Sequence, residues 1–182
     1  MADGLYYVDT KLPHLSADVA SVTLSTTNKA LVPAMSLPVL GSNYFSFVGK
    51  AMRISMFGRM TTGATPGNGT FSLMWGTGAD ANGTSLVASA ATALTASQTN
   101  LSWWAQLYVR CRALGSSGTL MATGILKFNE ALVVAELLLP ASAPAAVSVD
   151  LTQNFVLSPQ FLRSGSTSET MQVHEFFCEA LN

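Results

Sequence analysis

The dominant period in this chain is two. Met52, Ile54, Met56 and Met60 share one parity, while Arg53, Ser55 and Arg59 hold the other. Phe71, Leu73 and Trp75 repeat the alternation, with Thr70 and Ser72 on the opposite parity. The clearest run is Leu101 to Arg112. Leu101, Trp103, Ala105, Leu107, Val109 and Cys111 face one way; Ser102, Trp104, Gln106, Tyr108, Arg110 and Arg112 face the other. Side chains alternate across a strand, so this run predicts one buried and one outer face, as in an antiparallel sheet. Leu114-Gly115-Ser116-Ser117-Gly118 supplies turn residues. Alternation then resumes through Leu120, Ala122, Gly124, Leu126 and Phe128, predicting a long hairpin of Leu101 to Arg112 with Thr119 to Phe128.

Further strands are expected at Val147 to Leu157, with Val149, Leu151, Phe155 and Leu157 inward, and at Glu169 to Leu181. The last is ambiguous in phase, because adjacent Phe176 and Phe177 cannot both face the core. A bulge, or an outer aromatic at an interface, would resolve it. Ser85 to Ser97 reads as a loop or irregular strand. Turn signals recur at Thr62-Gly63, Pro66-Gly67-Asn68-Gly69, Gly76-Thr77-Gly78 and Asn82-Gly83. About eight antiparallel strands at this spacing predict an all-β jelly roll or β-sandwich. That domain covers residues 18–182. Met1 to Ala17 lacks alternation, is interrupted by Pro13, and carries Leu5, Tyr6, Tyr7 and Leu15. It is read as an extended arm: a first strand, a loose leader, or a segment that docks on a neighbour.

Composition changes the picture at one point. Of 182 residues only 10% are charged, while 49% are hydrophobic, against a usual charged fraction of about 25%. A membrane span would need about 20 mostly apolar residues. The best run, Ala131 to Ala141, is shorter and contains Glu136. Surface covered by other chains is therefore the expected account. Asp3, Asp9 and Lys11 interrupt the start, which has no apolar signal core. The expectation is a chain made in a cytoplasm and kept there until assembly. Net charge is −1 with no basic run, which argues against a nucleic-acid partner.

Catalytic chemistry finds no support in the motifs. His14 and His174 lie far apart, and Gly115-Ser116-Ser117-Gly118 is too short for a nucleophile elbow. No phosphate loop or dinucleotide fingerprint occurs. Asn68-Gly69-Thr70 and Asn82-Gly83-Thr84 read as turns. Cys111 and Cys178 are expected as buried free thiols. No enzyme activity, cofactor or metal is expected. Trp103 falls on the inner parity and is expected in the core. Trp104 and Tyr108 fall on the outer parity beside Arg110. Three uses are open for them: cover by a loop of the same chain, a subunit interface, or a platform for sugar. The candidate interface set is Leu5, Tyr6, Tyr7, Trp104, Tyr108, Arg110 and Phe176.

A resemblance adds a setting. Gly49-Lys50-Ala51-Met52-Arg53-Ile54 follows Phe45 and Phe47, and Pro66-Gly67 opens the next strand. Leu101-Ser102-Trp103 then leads to Val109-Arg110-Cys111-Arg112-Ala113-Leu114-Gly115-Ser116-Ser117-Gly118-Thr119-Leu120. Val149-Asp150-Leu151-Thr152 and Met171-Gln172-Val173-His174-Glu175 close the pattern. Over most of Phe45 to Asn182 this resembles jelly-roll structural proteins of tailed bacteriophage virions, of the head-decoration, cement or minor-capsid kind. The resemblance implies a homo-oligomer, often a trimer, bound to a major capsid protein on the virion surface, and it implies no catalysis. The Met content and the Tyr6-Tyr7 arm depart from that group. The alternatives are a carbohydrate-binding, receptor-binding module and a tail or baseplate component.

Overall fold

The computed structural model describes residues 18–33, 36–76, 83–129, 134–165 and 168–181. Leu5, Tyr6 and Tyr7, with the rest of the expected arm, lie outside the described residues. Among those described, the strands are β1 (Val22–Thr23), β2 (Lys29–Ala30), β3 (Ala51–Thr61), β4 (Asn68–Gly76), β5 (Thr84–Ala88), β6 (Thr92–Ala93), β7 (Leu101–Ala113), β8 (Gly118–Asn129), β9 (Val134–Leu139), β10 (Ala146–Val149), β11 (Val156–Arg163) and β12 (Thr170–Ala180). They form two antiparallel sheets. The large sheet runs β1-β12-β3-β7-β8-β10, with β9 also on β8; the small sheet runs β2-β11-β4-β5, with β6 on β4. Successive strands β3 and β4 pass from the large sheet to the small one. Their partners β11 and β12 make the return crossing, because β3 pairs β12 and β4 pairs β11. Two connected strands thus wrap against two others, as in a jelly roll.

One core fills the space between the sheets. Met52, Ile54, Met56 and Met60 of β3 are fully buried, as are Ala105, Leu107, Val109 and Cys111 of β7. Phe161 of the small sheet meets Phe128 of the large one edge to face, with ring centroids 6.4 Å apart. At one end Tyr44, Phe45, Phe155 and Trp75 form a continuous aromatic chain, with successive centroids 5.3, 6.0 and 5.5 Å apart. These rings close the core where the chain crosses between sheets.

The expected hairpin is β7 with β8, paired from Trp103↔Phe128 to Ala113↔Thr119. Gly115 takes φ +92° in its turn, a backbone region that a β-carbon disfavours. Ser85 to Ser97 holds β5 and β6 with irregular backbone between, as its weak alternation indicates.

Three expectations need correction. The strand expected at Val147 to Leu157 is two strands in different sheets, β10 and β11. Asp150 Oδ1 accepts hydrogen bonds from Thr152 N (2.9 Å) and Thr152 Oγ1 (2.6 Å), and this turn sends the chain across. Val149, Leu151, Phe155 and Leu157 are all buried, so the inward parity survives the break. Secondly, Ser72 is buried rather than outward, and so are Met74, Ser158 and Gln160. The centre of the small sheet is therefore buried on both faces. Thirdly, Phe176 does not belong in the interface set: the phase left open for the last strand is resolved by a bulge, one of its two expected solutions, at His174, where the register of β12 against β3 shifts between Val173 and Glu175. Phe176 consequently faces the core, fully buried, and Phe177 takes the outer face. His174 and Glu175 both escape burial, where strict alternation would place them on opposite faces.

The crossing from β11 to β12 carries a buried ion pair. Arg163 Nε lies 2.9 Å from Glu169 Oε2 and 2.9 Å from Leu24 O. Glu169 is wholly buried. Taking the cation away from a buried carboxylate is costly. Arg163→Ala should lower unfolding free energy by about 3 kcal/mol in chemical denaturation. A loss below about 0.5 kcal/mol, the scale of an exposed pair, would contradict a stabilising role.

Candidate functional site

The outer face of the large sheet carries its chemistry in cross-strand rows. One row reads Glu175, Phe57, Trp104, Lys127, Glu136 across β12, β3, β7, β8 and β9. A second reads Glu179, Arg53, Tyr108, Thr123. Side chains opposite one another in adjacent strands stand within contact range, so each row is a physical unit.

In the first row the Phe57 and Trp104 rings lie nearly parallel, at 18°, with centroids 6.4 Å apart. Lys127 Nζ sits 5.8 Å from the Trp104 ring centroid and 2.5 Å from Glu136 Oε2. Phe57, Ser102, Trp103, Trp104, Lys127 and Asn129 line a depression of about 310 Å³. In the second row Arg53 grips one oxygen of Glu179 from Nε (2.7 Å) and Nη2 (2.5 Å). That hydrogen bond, foremost among the causes, raises the Arg53 pKa. Tyr108 OH donates to Gln106 Oε1 at 3.2 Å. These pairs are part-exposed, and such pairs add little stability; their effect is to fix side chains in place.

Gly58 makes the first row possible. A β-carbon there would collide with Gln172 O and meet the Trp103 ring at 2.8 Å. The buried Trp103 indole fills the space that a side chain would need. The same point in β3 lies opposite the β12 bulge.

Trp104, Tyr108 and Arg110 therefore stand on the outer face, as their parity requires. The Ser55–Gln106 row separates Trp104 from Tyr108, with Arg110 one row beyond. Phe176 does not join them. Pattern reading missed Phe57, although it sits on the same parity as Arg53, Ser55 and Arg59; an aromatic on a polar parity was the available signal.

A second feature was also missed. At the Ala51 end of β3, Gly49 N bonds Cys111 O (2.9 Å), Cys111 N bonds Lys50 O (2.9 Å) and Leu181 N bonds Ala51 O (3.0 Å). These bonds bring Phe47, Val48, Leu114 and Leu181 to one end of the sheet. They are 45%, 59%, 46% and 39% exposed. Lys50 adds no outward charge among them: its Nζ donates to Tyr44 O at 2.7 Å and lies 4.2 Å over the Tyr44 ring. These apolar residues sit in turns and strand ends, where period-two reasoning has nothing to say.

Among the described residues no group of three His, Cys, Asp or Glu is placed to hold a metal ion. His174 Nδ1 lies 2.8 Å from Asp18 Oδ1 at the margin of the large sheet. Cys111 and Cys178 are free and buried.

No family model matches the sequence, and no curated protein matches it. Among solved structures, the chain is similar to the lectin UEA-II complexed with galactose, at 11% identity and TM-score 0.40, covering 98% of this chain and 99% of that one. It is also similar to the CBM2 module of the evolved Dit of Lactobacillus casei BL23 phage J-1. There the identity is 9% and the TM-score 0.32, over 84% and 74% of the two chains. A legume lectin-like domain from Entamoeba histolytica matches at 10% identity and TM-score 0.28, over 86% and 95%. These neighbours are β-sandwich proteins, and the identities are too low to carry function across.

Two predictions arise from this geometry. Gly58→Ala should destabilise the fold by about 1–3 kcal/mol through overpacking, read as a lower denaturation midpoint; an unchanged midpoint would contradict the close approach. Burial pushes the Cys178 thiol from 9.0 up to about 12. The unfolded chain then releases that proton first as pH rises. The thiol's contribution to stability is complete below about pH 9 and declines above it, by up to about 1.4 kcal/mol per pH unit. Urea titrations from pH 8 to 11 should show a shallower decline for Cys178→Ala than for the parent. Parallel curves would refute the assignment.

Proposed function

We propose that this chain is a non-enzymatic structural protein that works by packing on other chains. The first partner is a further copy of itself, with a trimer favoured. The setting is the surface of a phage head, where it contacts the major capsid protein as a decoration or cement protein. The observation that carries this reading is the apolar end formed by Phe47, Val48, Leu114 and Leu181. Single exposed apolar residues are ordinary, but a group gathered at one end of a chain this poor in charge favours an interface. Arg110 and Arg112, exposed on β7 near that end, would form the polar rim that such interfaces carry. A stable interface buries about 1,600 Å² in total, which this end together with the Tyr108 row could contribute to. The arm of Met1 to Ala17 would add reach to a capsid subunit or a neighbouring copy.

Light scattering on the purified chain should give the mass of an oligomer. Phe47→Asp with Leu114→Asp should drive it to a monomer with an unchanged β spectrum, and should reduce co-sedimentation with purified heads. A parent chain that is monomeric and does not bind heads would end this reading.

A further inference from the structure

The aromatic row sits well away from the apolar end and has a different chemistry. The Phe57 and Trp104 rings, nearly parallel with centroids 6.4 Å apart, form a small apolar shelf. Phe57 is 43% exposed, and Trp104 is half-buried. Around the shelf stand a hydroxyl (Ser102), a primary amide (Asn129), an ammonium (Lys127) and a carboxylate (Glu136). The two ions are locked to each other at 2.5 Å. Their charges cancel locally, while each keeps hydrogen-bonding capacity toward solvent. The depression holds about 310 Å³, at the lower bound of small-molecule sites.

We infer that this shelf is a binding site for a neutral sugar ring, the terminal hexose of an oligosaccharide or polysaccharide. A pyranose has a face of C–H bonds carrying slight positive charge and a rim of hydroxyls. The π surface of the Phe57–Trp104 pair is electron-rich and would receive the C–H face where Lys127 leaves it open. Ser102, Asn129 and the Lys127–Glu136 pair would donate to and accept from the rim hydroxyls. A purely hydrophobic ligand would strand those polar groups, which is costly. An anionic ligand would find its cation already taken by Glu136. Lys127, held over Trp104, also limits the freedom lost on binding. The shelf is thus preorganised for an uncharged molecule that is flat, apolar on one side and polar at its edge.

The test uses the full chain and an array of immobilised glycans ending in glucose, galactose, mannose or N-acetylglucosamine, followed by tryptophan-fluorescence titration with the best of them. Binding to at least one neutral glycan is expected, with little change between low and high salt. Trp104→Ala should weaken it by roughly tenfold or more, and Trp104→Phe, which keeps a flat ring, should retain most of it. Asn129→Ala weakens binding without touching the core, so the test remains decisive if Trp104→Ala misfolds. Phe47→Asp with Leu114→Asp should leave glycan binding intact, since that end takes no part in it. No glycan bound by the parent, or binding unaltered in both Trp104→Ala and Asn129→Ala, overturns the inference. Loss of oligomer mass in Trp104→Ala without glycan binding by the parent would assign the shelf to a second copy instead.

Discussion

The antiparallel ladder of β12, β3, β7 and β8 is the constraint from which the rest follows. Its pairing holds four long strands in one register. Alternation then decides everything at once: each inward residue fills the core and each outward residue is displayed. A one-residue slip in β7 would bury Trp104, Gln106, Tyr108, Arg110 and Arg112 and expose Leu107 and Val109. The cost of burying such polar groups makes that slip inaccessible. The displayed face is therefore as fixed as the core beneath it, and its side chains can act as a rigid surface.

Two local departures from regularity shape that face. The bulge at His174 turns Phe176 inward and places Glu175, Phe177 and Glu179 outward. Opposite it, Gly58 admits the Trp103 indole to the core. Together these let β3 and β12 lie close while Phe57 and Trp104 project side by side. The core thus gains a buried tryptophan, and the surface gains an aromatic pair at the same crossing point of the ladder.

The parts of the fold legible in the sequence were those governed by period two. The β7–β8 hairpin, the inward set of β3 and the outward standing of Trp104, Tyr108 and Arg110 all follow from parity alone. What parity could not supply was connection. Val149, Leu151, Phe155 and Leu157 keep one phase, yet the Asp150–Thr152 turn leaves Val149 in one sheet and Leu157 in the other, with Leu151 and Phe155 between them; a segment lining the core at the sandwich end looks like a strand. Adjacent Phe176 and Phe177 announce a break of phase, but not where it falls; the bulge at His174 leaves no mark in composition, so parity alone does not tell which of the two faces the core. Ser72 and Gln160 were unreadable for a different reason. Their burial depends on what covers the far face of the small sheet, which is tertiary information. Of the two candidate surfaces, the aromatic row was half visible, through Trp104, and the apolar end not at all.

The two surfaces also differ in what they can tolerate. From Trp104 to Arg110 the chain advances six residues of extended strand, about 20 Å at 3.4 Å per residue. That distance exceeds the reach of any one side chain and the Debye length at physiological salt, about 8 Å. An interface centred on Phe47, Val48, Leu114 and Leu181 can therefore close without covering the Phe57–Trp104 shelf. A molecule held in an assembly by one end of its sheet would still present the shelf to solvent. Anchoring and ligand capture are in that sense compatible on one rigid scaffold, and the strand that joins them, β7, belongs to both.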